Sequence, residues 1–133
     1  MQLFTVDQAN RTLPLVRRIV EDIVREFRLW EEGLAELDLT VPGARPDLAD
    51  PRAIALERKI ERIARDLDGF QAEVEAIGIQ LKDRRTGLID FPSELDGRPV
   101  LLCWRLGEPT VQFWHDANSG FAGRQPLSPT LVG

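Results

Sequence analysis

Residues that build disulfides and metal centres are scarce in this sequence. Its 133 residues include one cysteine and one histidine. A single cysteine excludes an intramolecular disulfide and a zinc site made of several thiolates, and a single histidine excludes the multi-histidine metal sites. Cys103 and His115 are therefore the only soft metal ligands that the chain offers.

Long apolar runs and concentrated basic runs are missing as well. No stretch of about 20 apolar residues is present, so no membrane span is predicted. Residues 1–7 lack the basic and apolar regions of a signal peptide, so we expect a cytoplasmic protein. Seventeen basic residues against 22 acidic ones give a net charge of -5, a poor match for a phosphate backbone. The sequence therefore predicts neither membrane nor nucleic acid as a partner.

The length and the composition fit one globular domain. Hydrophobic residues make up 43% and charged residues 29% of the chain, which is ordinary for a folded protein and wrong for a disordered one. A chain of 133 residues has the usual length of a single domain. We therefore predict one domain over residues 1–133.

A first helix is predicted over residues 5–38. Thr5 and Gln8 have the spacing of a capping box, in which each side chain accepts a hydrogen bond from the backbone N–H of the other. Pro14 either kinks this helix or lies in the first turn of a new one that begins near Thr12. An apolar stripe with alternating steps of three and four follows: Leu13, Val16, Val20, Ile23, Phe27, Trp30, Leu34 and Leu37.

A second helix is predicted over residues 51–77, after a mobile loop at 39–50. Asp50 and Pro51 are typical of the N-cap and the first helical position, and Gly78 is typical of a left-handed C-terminal cap. The same stripe pattern recurs at Leu56, Ile60, Ile63, Leu67, Phe70, Val74 and Ile77. Two such helices joined by a loop are expected to fold back as an antiparallel coiled-coil hairpin.

After Gly78 the apolar pattern changes to a period of two, which predicts an antiparallel sheet over residues 79–115. The predicted strands are 79–82, 88–91, 99–106 and 110–115, with Pro92 ending the second of them. A tail at 116–133, rich in glycine, serine and proline, is expected to be extended. The predicted fold is α+β: a long helical hairpin, a small antiparallel β-meander and a C-terminal tail.

Pairing Arg105 with Thr110 across the last turn predicts which side chains share a face. In this register one face, the core face, carries Val100, Leu102, Trp104, Val111, Phe113 and His115. Cys103 and Trp114 lie on the other face. The thiol and the imidazole would then be separated by the sheet, which argues against a Cys–His nucleophile pair.

Several segments are more specific than a coiled coil. They are residues 4–14 (FTVDQANRTLP), 87–92 (GLIDFP), 102–109 (LCWRLGEP), 114–116 (WHD) and 120–127 (GFAGRQPL). Together they resemble an uncharacterised prokaryotic family, domain of unknown function 2203. The resemblance covers nearly the whole chain outside 39–50. It supports the predicted architecture and implies no activity.

One end of the predicted sheet collects the residues with the richest chemistry. His115 ends the core-facing row, and Arg124 in the glycine-rich tail can fold back over it to hold an anion. We predict a ligand site there, formed by His115, Asp116, Arg105, Arg124 and Trp114. His115 and Asp116 are the predicted ligands of a divalent metal.

Two further carboxylates, Asp90 and Glu94, could join such a metal site. The alternative interpretation is purely structural. In that case His115 caps the core through one hydrogen bond, and Arg124 pairs with an acidic residue.

Two hypotheses for the function remain open. The first is a non-enzymatic binding or scaffolding module, with a protein partner or as a homodimer through its hairpin, because Ile19 and Val24 widen the apolar face of the first helix. The second is a small-ligand or metal-binding protein, with a hydrolytic or redox role, around His115 and Arg124. No phosphate-binding loop is present, and no cofactor other than a divalent metal is considered. The non-enzymatic hypothesis is the one we favour.

Overall fold

The computed structural model describes residues 2–40 and 50–128 of the chain. Two long helices are followed by a five-stranded antiparallel sheet, which confirms the predicted α+β architecture. The mobile loop predicted at 39–50 lies almost entirely outside the described residues, as does the end of the tail.

The helices are α1, Val6–Thr40, and α2, Pro51–Ala76. The strands are β1 Gln80–Asp83, β2 Leu88–Leu95, β3 Arg98–Arg105, β4 Phe113–Asp116 and β5 Gln125–Pro126, and a 3₁₀ helix spans Phe121–Gly123. The strands lie side by side in chain order, each antiparallel to the next. The predicted tail therefore contributes a helical turn and a fifth strand to the fold.

Both helices begin where local hydrogen bonding dictates. The Thr5 amide donates to Gln8 Oε1 at 2.9 Å and the Gln8 amide donates to Thr5 Oγ1 at 3.0 Å, which closes the capping box. Asp50 Oδ1 accepts from the Arg52 amide at 2.9 Å and caps α2. Pro14 lies inside α1, so the alternative of a new helix starting there is wrong.

The helices cover one face of the sheet and enclose the core with it. Its buried side chains include Val16, Val20, Ile23, Leu67, Val74, Ile89, Phe91, Leu102 and Trp104. Burial of apolar surface of this kind stabilises a fold by about 25 cal/mol for each Å². The tail packs on the opposite face of the sheet. We call this the second face, and it contains the site described below.

Strand β2 continues through Pro92, so the prediction that this proline ends the strand is wrong. Pro92 pairs with Leu101 of β3 on one side. On its other side the pairing between β1 and β2 stops at Gln80 and Asp90, so no described strand needs the missing N–H there. The Phe4 amide uses the free carbonyl of Pro92 instead, at 2.7 Å. The residues before α1 are tied to the sheet in this way.

Replacing Gly33 with alanine should destabilise the protein, although alanine is the better helix former by about 1 kcal/mol. A Cβ at this position of α1 would lie 2.9 Å from Ile60 Cγ1 of α2. Overpacking of this kind costs about 1–3 kcal/mol. Urea unfolding of the Gly33→Ala variant should therefore show a lower free energy of unfolding than the parent protein.

Gly69→Ala is the matched control, because Gly69 lies in α2 and a Cβ there would meet no atom of the described residues within 4 Å. Its free energy of unfolding should rise by up to about 1 kcal/mol. If both variants were stabilised, α1 and α2 would not be in close contact at Gly33.

Candidate functional site

The register of β4 on β3 decides which side chains meet on the second face of the sheet. Cys103 lies opposite Phe113, and Leu101 lies opposite His115. This pairing is shifted by one residue from the predicted one, and a shift of one residue moves every side chain of a strand to the other face. The prediction that Cys103 and His115 lie on opposite faces is therefore wrong.

Contacts with α1 produce the shift. The Val111 amide donates to Asn10 Oδ1 at 2.7 Å, and Arg17 Nη2 donates to the carbonyl of Pro109 at 3.0 Å. Both bonds hold the connection between β3 and β4 against the helix, so regular pairing with β3 begins only at Phe113. The residues before Phe113 therefore form a longer loop than a simple hairpin needs.

Asp90 and His115 form a buried pair on the second face. His115 Nε2 lies 3.0 Å from each carboxylate oxygen of Asp90, and both residues are only 2% exposed. His115 Nδ1 lies 2.7 Å from the backbone carbonyl of Asp116. A carbonyl oxygen only accepts, so Nδ1 carries a proton. One further proton shared between Nε2 and the Asp90 carboxylate leaves the pair without net charge.

The Cys103 thiol completes a cluster with this pair. One ligand atom from each of Asp90, Cys103 and His115 lies within 4.8 Å of the other two, and all three residues are buried. The pKa of the Cys103 thiol is raised to about 12, first by burial and then by the negative charge of Asp90, against the opposing effect of Arg124. Since the thiol keeps its proton near neutral pH, a Cys–His nucleophile remains unsupported although the two residues share a face.

A cavity of about 250 Å³ opens above the cluster. Asp90 and His115 contribute to its lining. Its apolar walls are Leu88, Leu101 and Phe121, and its polar rim includes Lys82 and Asn118. A small molecule in this cavity would therefore contact the buried pair of Asp90 and His115.

The structure does not bring Arg124 to His115. Arg124 Nη2 donates to both carboxylate oxygens of Glu108, at 2.7 and 2.9 Å. Its guanidinium lies 3.7 Å above the ring centre of Phe113 and 4.7 Å from that of Phe121. Arg124 therefore pairs with an acidic residue, as the structural interpretation expected, and fixes the tail against the sheet.

The remaining predicted ligand residues have other positions. Arg105 lies over the ring of Phe121, at 5.2 Å, and the two residues line a second cavity. Trp114 packs on the core side of the sheet, so its predicted placement on the other face is wrong. The exposed Asp116 carboxylate lies 3.9 Å from Arg98 Nη2 and contributes only its backbone carbonyl to the site.

Asp90 is the residue that sequence reasoning undervalued. It was one of two additional carboxylates for a metal site, and it proves to be the residue that His115 contacts. The available signal was its position as the one charged residue in the apolar run Leu88–Phe91, because a carboxylate inside a buried strand requires a partner. Glu94, the other carboxylate considered, is exposed near the end of β2.

The cluster has the ligand types and the orientation that a metal site requires. Histidine ligands typically donate their second ring N–H to a carbonyl or carboxylate, as His115 Nδ1 does to Asp116. His115 Nε2 and Asp90 Oδ1 are 3.0 Å apart. If one ion bound both atoms at bond lengths of about 2.0–2.1 Å, the N–ion–O angle would be roughly 95°, between the octahedral and tetrahedral values. Asp90, Cys103 and His115 therefore fit a site with three protein ligands and an open position.

One of the three comparisons with known proteins identifies a family, and none gives an activity. None of the described helices is both long and apolar enough to cross a membrane. No curated protein matches the chain, and no solved structure matches it. A family model described as "Uncharacterized conserved protein (DUF2203)" matches residues 2–127. The chain therefore belongs to the DUF2203 family of uncharacterised conserved proteins.

Proposed function

We propose that this protein binds a divalent metal ion of the zinc type through Asp90, Cys103 and His115. The observation that carries the proposal is the cluster itself: a carboxylate, a thiol and an imidazole lie buried within 4.8 Å of one another. Zinc accepts all three ligand types, and sites with three protein ligands keep a position for water or another ligand. The cavity beside Asp90 and His115 gives such a ligand access.

Charge balance supports a doubly charged ion. Without metal, one proton between His115 Nε2 and the Asp90 carboxylate leaves that pair without net charge, and the Cys103 thiol is neutral. With metal, the ion replaces this proton and the thiol proton, and its two charges cancel those of the carboxylate and the thiolate. The buried cluster is neutral in both states, so the exchange leaves no uncompensated charge in the core.

Metal content and cobalt absorption test the proposal. Purified protein should take up about one zinc ion per chain, and cobalt in its place should give an absorption band from a sulfur ligand. Cys103→Ser should abolish that band, and Asp90→Asn should weaken metal binding by about 10-fold or more, the loss that removal of even a supporting group produces.

Asp116→Asn is the control, because the Asp116 side chain points to Arg98 while its carbonyl still holds His115. Its zinc affinity should equal that of the parent protein. Absence of zinc uptake by the parent, or an equal loss in Asp116→Asn and Asp90→Asn, would overturn the proposal.

The distal half of the helical hairpin supports a second function, self-association as a homodimer. Ile19 and Val24, which widen the apolar face of α1, pack against the core of the same chain. Further along the hairpin, Leu29 and Leu34 are each 37% exposed, and Trp30 is only partly buried. A two-helix arm cannot cover both sides of its own apolar residues, and a second copy can.

Charge complementarity favours a second copy over another partner. Residues 26–38 of α1 contain five acidic residues and one basic residue, a net charge of -4. Residues 51–66 of α2 contain five basic and three acidic residues, a net charge of +2. A two-fold arrangement therefore can set α1 of each copy against α2 of the other.

Sedimentation equilibrium tests the association. The parent protein should sediment as a dimer of twice 15.0 kDa, and Leu34→Lys should sediment as a monomer. Leu15→Lys, at an exposed leucine outside this distal half, should leave the dimer intact. A parent protein that sediments as a monomer at micromolar concentration would exclude this function.

A further inference from the structure

We propose that the cavity above Asp90 and His115 binds a small organic monocarboxylate, with its carboxylate toward the metal cluster and Lys82 and its apolar part against Phe121. The inference rests on the proposed metal site, whose open position the carboxylate would fill. It adds the class of the ligand, which the cluster alone does not specify.

The charges that line the cavity select a single negative charge. Its charged lining residues are Lys82, Asp90 and His115. Asp90 and His115 neutralise each other without metal, and with metal the cluster is neutral again. Lys82 makes no ion pair with another described residue and therefore contributes one uncompensated positive charge in either state. A monoanion brings the whole cavity to neutrality.

The backbone directs Lys82 toward this place. The pairing of β1 with β2 is irregular between Leu81 and Asp83, so that Lys82 occupies a bulge opposite Leu88. Such bulges re-aim side chains and are frequent beside functional sites. Leu88 itself forms part of the apolar wall, so the cation and the wall belong to one side of the cavity.

The size and the walls of the cavity limit the rest of the ligand. A volume of about 250 Å³ holds roughly eight water molecules at about 30 Å³ each, which is too small for a nucleotide or a peptide. The Phe121 ring is held in place by the guanidinium groups of Arg105 and Arg124, at 5.2 and 4.7 Å. These two arginines, predicted as ligand residues, are thus positioning residues for an apolar wall.

Calorimetric titration of zinc-loaded and zinc-free protein with matched small molecules tests the inference. The probes are butyrate and benzoate, their uncharged amides butyramide and benzamide, and the dianion succinate. Both monocarboxylates should bind the zinc-loaded protein about 10-fold or more tightly than their amides, because only the acids can occupy the metal's open position and pair with Lys82. Succinate should bind more weakly than butyrate, because its second charge has no partner.

Two substitutions separate the contributions of charge and wall. Lys82→Gln should weaken butyrate and benzoate by roughly fivefold and leave the amides unchanged, the size expected for one partly exposed charge pair. Phe121→Ser should weaken benzoate more than butyrate. Lys59→Gln, at an exposed lysine of α2, is the matched control and should change neither.

Zinc content measured in the same samples distinguishes the two proposals. Protein that holds zinc but binds acids and amides equally, or responds alike to Lys82→Gln and Lys59→Gln, overturns the carboxylate inference alone. Protein that takes up no zinc overturns the metal site. Acid binding that persists in that protein and is weakened by Lys82→Gln would support the carboxylate inference through the charge of Lys82.

Discussion

Substitution of His115 by alanine should lower the free energy of unfolding by about 3–5 kcal/mol. The substitution leaves the Asp90 carboxylate buried without its partner, and that residue is only 2% exposed. It also frees the backbone carbonyl of Asp116, which His115 Nδ1 now contacts at 2.7 Å. Urea unfolding of zinc-free protein measures the effect of the pair itself, apart from any bound metal.

Asp116→Ala provides the comparison, because it removes an exposed carboxylate next to His115 and keeps the backbone carbonyl. Its effect should stay below about 1 kcal/mol, as for exposed ion pairs in general. Replacing both partners, with Asp90→Val and His115→Leu, should recover much of the loss because no buried charge then remains. A loss below about 1 kcal/mol in His115→Ala would mean that water reaches the Asp90 carboxylate.

Gly87→Ala should destabilise the protein by about 2–5 kcal/mol. Gly87 closes the turn between β1 and β2 with a φ of +72°, which costs a residue with a side chain about 1–2 kcal/mol. A Cβ there would also lie 2.8 Å from Val20 Cγ1 and 2.9 Å from Leu106 Cβ. Overpacking between helix and sheet adds about 1–3 kcal/mol. Urea or thermal unfolding measures the sum.

Gly97 separates these two costs. It lies in the turn between β2 and β3 with a similar φ of +76°, but within the described part of the chain a Cβ there would meet nothing within 4 Å. Gly97→Ala should therefore show only the backbone cost, about 1–2 kcal/mol. Equal losses in Gly87→Ala and Gly97→Ala would contradict the close approach of the β1–β2 turn to α1.

The helices were predictable because their signals are local. The capping box of Thr5 and Gln8 and the Asp50 cap each involve residues two or three positions apart, and both form as predicted. The left-handed glycine after α2 is equally local, and Gly78 has a φ of +101°. Signals of this kind depend little on the rest of the fold.

The candidate site was not predictable in the same way, because its register depends on distant residues. The hydrogen bond from the Val111 amide to Asn10 joins residues 101 positions apart and delays the start of β4. The residues of the turn between β3 and β4 give no indication of such a bond, so the sequence predicts a shorter loop there. One residue of difference placed Cys103 and His115 on opposite faces in the prediction and brings them together in the structure.

The outer strands of the sheet determine whether its backbone can form hydrogen bonds with a strand of another molecule. One outer strand, β1, is four residues long and irregular between Leu81 and Asp83. The other, β5, has two residues, and one of them is Pro126, which has no N–H to donate. Short, interrupted or proline-containing edges resist the strand-to-strand growth that leads to fibrils. At high protein concentration, the described part of this chain should therefore associate through side-chain contacts and not through extension of the sheet.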